Sequence, residues 1–217
     1  QGRPGRNDVD ADRRMTGSRR GPVIGLAGGI GAGKSAVASV LARAGCVISD
    51  SDRDAAEVLA DPSVVETLRG WWGDEVVAPD GGVDRSVIAG RIFGDDGARR
   101  RLESLVHPKI HRLREARFAA APPDVVALVI DAPLLFEAGL AESCDAVFFV
   151  DASWSSRLAR VVEHRGWNES ELRRREAAQL PIEEKRRRAT LVIENDSDAD
   201  ALESSVLAAL RRSTADR

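Results

Sequence analysis

The chain has 217 residues, 43% of them hydrophobic and 31% charged, with a net charge of −3. That length and apolar share support one sizeable core with room for a small appended lobe, and the mildly acidic balance excludes a nucleic-acid binder driven by bulk electrostatics. Cys46 and Cys144 lie far apart in or beside apolar runs, which reads as two buried thiols rather than a disulfide framework or metal site; with no bilayer-length apolar run and no signal-peptide core, a soluble cytoplasmic protein without membrane or nucleic-acid partners is expected.

Residues 1–21 are rich in Arg, Asp and Gly and almost free of apolar side chains, so they predict a disordered arm, with Met15, the only methionine, as a candidate translation start. Val23–Ala27 then reads as a buried strand, and Lys34–Ala44 as a helix. Between them stands Gly28-Gly29-Ile30-Gly31-Ala32-Gly33-Lys34-Ser35, which satisfies Gly-x-x-x-x-Gly-Lys-Ser/Thr, a phosphate-binding loop. Glycines allow positive φ and bring backbone N–H groups close to phosphate oxygens. Lys34 reaches the β and γ phosphates as a point charge, and the Ser35 hydroxyl can ligate Mg²⁺. The following helix adds its own positive end. Lysine occurs only at 34, 109 and 185, so a chain that otherwise uses Arg keeps Lys where a compact ammonium is wanted.

A second strand over Cys46–Ser49 leads into Asp50-Ser51-Asp52 and a helix over Asp54–Leu59. A carboxylate at that strand's C-terminal end can accept the proton of an attacking hydroxyl, or it can cap the helix; the two aspartates can divide these roles. From 62 to 121 the rhythm breaks into helical pieces, Ser63–Trp72, Ser86–Phe93 and Asp95–Ala121, with a turn at residues 79–82. A third strand, Val125–Asp131, ends in a carboxylate placed for Mg²⁺ or its water shell, or for capping the strand end. A fourth follows over Ala146–Asp151. Residues 153–188 are strongly basic but laced with glutamate, which fits a solvated helical hairpin or a lid closing over polyphosphate. Thr190–Glu194 is a fifth strand. Alternating strands and helices predict an α/β fold with a five-stranded parallel sheet flanked by helices.

No lysine follows an asparagine, so the guanine-reading Asn-Lys-x-Asp element is missing. Asp131 is followed by Ala132 and Pro133 rather than a water-activating glutamate. Transfer to a bound acceptor is therefore favoured over switching or hydrolysis.

The phosphate loop, Asp50-Ser51-Asp52, His107-Pro108, Pro133-Leu134-Leu135-Phe136-Glu137, Gln179-Leu180-Pro181 with Lys185, and Val192-Ile193-Glu194-Asn195 together resemble the dephospho-CoA kinase family from Val23 to about Leu210. The resemblance implies a P-loop kinase fold and Mg²⁺-ATP-dependent phosphorylation of the 3′-hydroxyl of dephospho-CoA, the last step of coenzyme A synthesis. It implies a core (22–61, 122–152 and 189–213), a helical acceptor-binding insertion (62–121) and a helical lid (153–188), in a monomer or weak homo-oligomer. By the same resemblance Gly31, Ala32, Gly33, Lys34, Ser35 and Ala36 wrap the ATP phosphates, and Asp52 is the general base. Arg160 or Arg165 supplies the lid cation facing the phosphates, and Asn195 lies near the adenine. Asp50, His107, Pro133, Leu134, Leu135 and Glu137 shape the acceptor side. On residues alone, His107 reads as a packed core histidine. Ala27, Ala36 and Thr190 depart from the usual pattern, as does the missing glycine two residues after Asn195. A nucleotide or nucleoside kinase of the same architecture, and an ATP-dependent switch or assembly protein, are the alternatives.

Overall fold

Residues Val23–Gly28 are apolar without interruption, which suits a strand covered on both faces. In the computed structural model, which describes residues 21–215, they form the central strand β1 with all six residues buried. The arm expected over residues 1–21 lies, except for Gly21, outside the described residues.

Around β1 the sheet adds β2 (Val47–Asp50), β3 (Leu128–Asp131), β4 (Ala146–Asp151) and β5 (Leu191–Glu194) in the order β2-β3-β1-β4-β5. Every pairing is parallel. Register sets Asp50 beside Asp131, and Asp131 beside Leu26. Two carboxylates thus share the C-terminal edge next to β1, where the chain switches from one side of the sheet to the other. That is the ligand-bearing crevice of an open α/β sheet.

The sequence places β3 three residues too early. Val125 N–H bonds the Pro122 carbonyl and Val126 N–H the Gly45 carbonyl, so this lead-in is extended but not yet paired on both sides. Thr190 lies just before β5 yet continues its pairing, because its N–H donates to the Val147 carbonyl (2.8 Å) and its hydroxyl accepts the Val147 N–H (2.9 Å).

One face of the sheet is covered by α1 (Lys34–Arg43) and α9 (Ala199–Thr214), whose Val37, Leu41, Val206 and Leu210 pack with Ile24 and Phe148. On the other face Phe118, Leu135 and Phe136 pack with Leu128, Ile130 and Phe149. A third cluster (Val58, Val64, Leu68, Val76, Ile88 and Val106) knits together the helices that break the alternation: α2 (Ser51–Ala60), α3 (Pro62–Trp72), α4 (Arg85–Ile92) and α5 (Asp96–Ala119). Asp61, Asp84 and Asp95 cap the last three of these, each accepting backbone N–H groups of the first turn. The expected turn at residues 79–82 is closed by an antiparallel bridge between Val77 and Val83.

The basic stretch forms α6 (Trp154–Arg165), α7 (Glu169–Ala177) and α8 (Ile182–Arg188). Cys46 is buried and Cys144 half-buried, both as free thiols; burial pushes the Cys46 thiol up to about 11. Among the described residues, no helix is long and apolar enough to cross a membrane.

Candidate active site

The loop between β1 and α1 has Gly31 at φ 76° and Gly33 at φ 91°, left-handed conformations that a side chain would strain. Gly33 occupies the N-cap position of α1 and supplies no side-chain cap. The first N–H groups of α1 therefore stay free of capping by their own N-cap, which is the condition for an anion site at a helix N-terminus. Lys34 and Ser35 open that helix, and Ala36 follows with its N–H already committed to the Gly33 carbonyl.

Beyond the loop, a cavity of about 390 Å³ is lined by Ser35, Asp50, Arg53, Arg117 and Asp131, among others. Asp131 is raised above the ordinary aspartate value: burial is the main cause, Lys34 pulls it back down, and Asp50 and Asp52 push it up. One ammonium and two further carboxylates thus lie close enough to Asp131 to act on its charge. Asp50 caps α2, its Oδ1 accepting the N–H groups of Asp52 (3.0 Å) and Arg53 (3.1 Å). Asp52, in the first turn of α2, is exposed and carries no such cap duty. Asp50 thus holds the helix, while Asp52 is exposed to solvent beside it.

Arg117 of α5, which sequence reasoning missed, ties this wall together. It pairs with the fully buried Asp54 of α2, whose other oxygen accepts the Ser49 hydroxyl at 2.5 Å. An acid two residues after Asp-x-Asp on the inner helix face was the available signal, but its partner lies 63 positions away. Arg114, one turn earlier on α5, is also buried, and desolvation lowers its pKa.

Several expected residues are placed differently. His107 is exposed on α5 beside Pro108, not packed in a core, because Val106 takes the inward position of that turn. Leu135 is 1% exposed beneath Gly25 and belongs to the sheet-face core, whereas Leu134 is 45% exposed and Pro133 half-buried, so of these three only the latter two can line an acceptor cleft. Glu137 is taken by the chain itself: it accepts from Lys185 Nζ (2.7 Å) and Leu180 N–H (2.9 Å). Burial pushes Glu137 up, but these hydrogen bonds outweigh it and hold the carboxyl below its usual range.

Both arginines expected at the phosphates have partners within the protein. Arg160 lies behind the loop, donating to the carbonyls of Gly31 (3.3 Å), Ala32 (3.2 Å) and Asn195 (2.7 Å). Arg165 is exposed at the end of α6, stacked 4.9 Å from the Trp167 ring that Arg175 also covers. Asn195 is 5% exposed and donates to the Ala32 carbonyl at 2.7 Å, so it too meets the loop from behind. Arg157, not singled out from sequence, is 7% exposed and ion-paired with Glu176. Nothing local in a basic, glutamate-laced stretch marks one arginine as the buried one.

A family model described as dephospho-CoA kinase matches residues 22–201. A dephospho-CoA kinase of Geobacter metallireducens is 40% identical over 188 residues, covering 86% of this chain and 94% of that protein. One of Deinococcus radiodurans is 40% identical over 190 residues, covering 87% and 91%. Among solved structures, TT1252 from Thermus thermophilus superposes with a TM-score of 0.77 at 35% identity, covering 88% of this chain and 97% of that one. The dephospho-CoA kinase of Campylobacter jejuni shares the fold, with a TM-score of 0.61 at 18% identity over 90% of this chain and 99% of that one. With a sheet-edge phosphate loop, a carboxylate-lined cleft and a family match spanning nearly all of the described fold, the chain belongs to the dephospho-CoA kinase family of ATP-dependent kinases.

Proposed function

We propose that the chain transfers the γ-phosphoryl group of ATP to the 3′-hydroxyl of dephospho-CoA, with Asp52 as the base. The observation that carries this reading is the convergence of three strand ends beside the phosphate loop: Ser35, Asp50 and Asp131 line one cavity, and Lys34, Asp50 and Asp52 stand close enough to Asp131 to act on its charge. Asp52 takes the proton of the 3′-hydroxyl as its oxygen attacks the γ-phosphorus; the bond from that phosphorus to the β–γ bridging oxygen breaks, and ADP leaves with that electron pair. Lys34 and the loop N–H groups meet the charge that spreads over the transferring group. Arg53 and Arg117 give the acceptor wall two cations, which suits an acceptor that carries a pyrophosphate. Leu134, exposed at the mouth of the post-β3 loop, suits its pantetheine arm, and His107 faces solvent from the helical side.

The residues also fit Mg²⁺. Ser35 and Asp131 line one cavity, and the mutual repulsion of three carboxylates is what a divalent cation relieves. Among the described residues no group of three or more His, Cys, Asp or Glu converges as a metal cage. One hydroxyl and one carboxylate leave the remaining positions to phosphate oxygens and water, as Mg²⁺ prefers. When bound, the ion supplies charge neutralisation on the phosphates. A cytoplasmic monomer or weak homo-oligomer follows from the same reading, and cell fractionation and sedimentation test both.

The deciding experiment gives purified protein Mg²⁺-ATP and a panel of acceptors (dephospho-CoA, nucleosides, nucleoside monophosphates) and follows ADP release. Turnover confined to dephospho-CoA, with the new phosphate on the 3′-oxygen, is the expected result. Turnover with a nucleoside monophosphate and none with dephospho-CoA would overturn it.

A further inference from the structure

We propose that Arg157, Arg160 and Asn195 form a brace that presets the phosphate loop from behind, as positioning residues rather than phosphate ligands; this rests on reading the loop as the triphosphate site. A loop that offers its N–H groups to phosphate must turn its carbonyls the other way, and those carbonyls need donors. Here three consecutive carbonyls find them. Ile30 faces Arg157 Nη1 at 3.4 Å, Gly31 accepts from Arg160 Nη1 at 3.3 Å, and Ala32 accepts from Arg160 Nη1 at 3.2 Å and Asn195 Nδ2 at 2.7 Å. The three arginine contacts are long and individually weak, but all are charge-assisted and act in register.

The brace is itself anchored. Arg157 Nε donates to the Ala152 carbonyl (3.2 Å) and its guanidinium pairs with Glu176. Arg160 Nη2 donates to the Asn195 carbonyl (2.7 Å), and Asn195 N–H to the Asp151 carbonyl (2.8 Å) at the end of β4. The donors therefore hang from the rigid edge of the sheet. Packing behind the loop is also close: a Cβ at Gly31 would stand 2.7 Å from the Arg157 carbonyl oxygen, and one at Gly33 would stand 2.1 Å from Asn195 Nδ2. These glycines are required by the brace as much as by phosphate approach. With its carbonyls held, the loop meets phosphate without a peptide flip, so nucleotide affinity is the quantity the brace controls.

The test uses full-length Arg160→Ala, Arg160→Lys and Asn195→Ala. ADP affinity is measured by calorimetry, kcat and the acceptor KM by turnover at saturating ATP, and folding by thermal unfolding. Arg160→Ala and Asn195→Ala should each weaken ADP binding about tenfold, the loss of roughly one hydrogen bond to a preset loop. Saturated kcat should stay within about threefold and the acceptor KM unchanged. Arg160→Lys, which keeps the charge but not the fork, should recover part of the loss. A hundredfold fall in kcat with ADP affinity intact would make Arg160 a ligand of the transferring phosphate and overturn the brace. So would lowered thermal stability with normal ADP affinity, which marks a merely structural contact. ADP affinity is read without acceptor, so failure of the proposed acceptor leaves this test intact.

Discussion

At the residue scale the charges around the cleft have separable tasks. Lys34 opens α1 beside the carboxylate cluster, and its compact ammonium counts most when charge spreads over the transferring group. Lys34→Ala should lower kcat by a factor on the order of 10² or more in folded protein, and Lys34→Arg should rescue it poorly because a planar fork does not replace a point charge. Asp52→Asn should lower kcat roughly 10²- to 10⁴-fold with ATP binding little changed. Asp50→Asn should be mild, because an asparagine oxygen still accepts the two N–H groups that Asp50 caps. A damaging Asp50→Asn beside a silent Asp52→Asn would reverse the assignment. Asp131 predicts a trade between stability and activity. Its carboxyl is raised in the folded protein, chiefly by burial, so the native state binds that proton more readily than the unfolded chain. The contribution favours folding below the ordinary aspartate value of about 3.9 and is lost as pH rises through the folded value. At pH 7 the buried charge therefore opposes folding. Asp131→Asn should raise the unfolding temperature at pH 7 while activity falls, and the gain should shrink as the pH is lowered through the acid range. Thermal unfolding from pH 3 to 8 checks this; a lower unfolding temperature at pH 7 would contradict it.

At the element scale, helices α6 to α8 separate arginines that hold structure from arginines that face water. Arg173, Arg174 and Arg175 pair with glutamates three or four residues back on α7, as the alternation of charge in sequence implies. Lys185 is the contrasting case. It is 2% exposed on α8, held by Glu137 from the loop after β3 and by Gln179 at 2.9 Å, so it fastens α8 to the sheet side. Lys185→Met should cost about 3 kcal/mol in urea unfolding, because the half-buried Glu137 loses its partner. Lys185→Met with Glu137→Gln should recover part of that loss. Arg186→Ala, which removes an exposed cation lying 3.3 Å from Asp151, should stay within about 0.5 kcal/mol and leave kinetics unchanged. A Lys185→Met loss below about 1 kcal/mol would mean that α8 is not fastened there. The sequence made the scarcity of lysine visible, with Lys185 one of three, but it did not show that Lys185 is buried against Glu137. It could not show Arg157 and Arg160 as bound to the loop, because their partners, the carbonyls at positions 30 to 32, stand 127 to 129 residues away and carry no side-chain signature.

At the scale of the whole molecule, local pattern and long-range contact had different reach. Continuous apolar runs located all five strands to within three residues, and Gly-Lys-Ser located the loop, because both signals are written in adjacent residues. The strand order depends on pairings between distant segments, and no periodicity encodes it. The division into core, helical insertion and lid stands between these cases. The apolar cluster of Val58, Val64, Leu68, Val76, Ile88 and Val106 is separate from the two clusters on the sheet faces. The long helix α5 joins them, with Val106 in the first and Phe118 in the second, and Arg117 is locked to Asp54 between. A unit with its own core and few ties to the sheet should open before the sheet does. Native-state hydrogen exchange should therefore show amides of β1 and β4 exchanging only through global unfolding, while those of α3, α4 and the first half of α5 exchange through a smaller opening. ADP should then slow exchange in the phosphate loop and the start of α6, where the brace contacts it. Dephospho-CoA should instead slow exchange in α2 to α5 and the loop after β3. Uniform protection across all of these helices, with both ligands slowing the same amides, would mean that one cooperative core does the work of three parts and that the acceptor does not bind on the helical side.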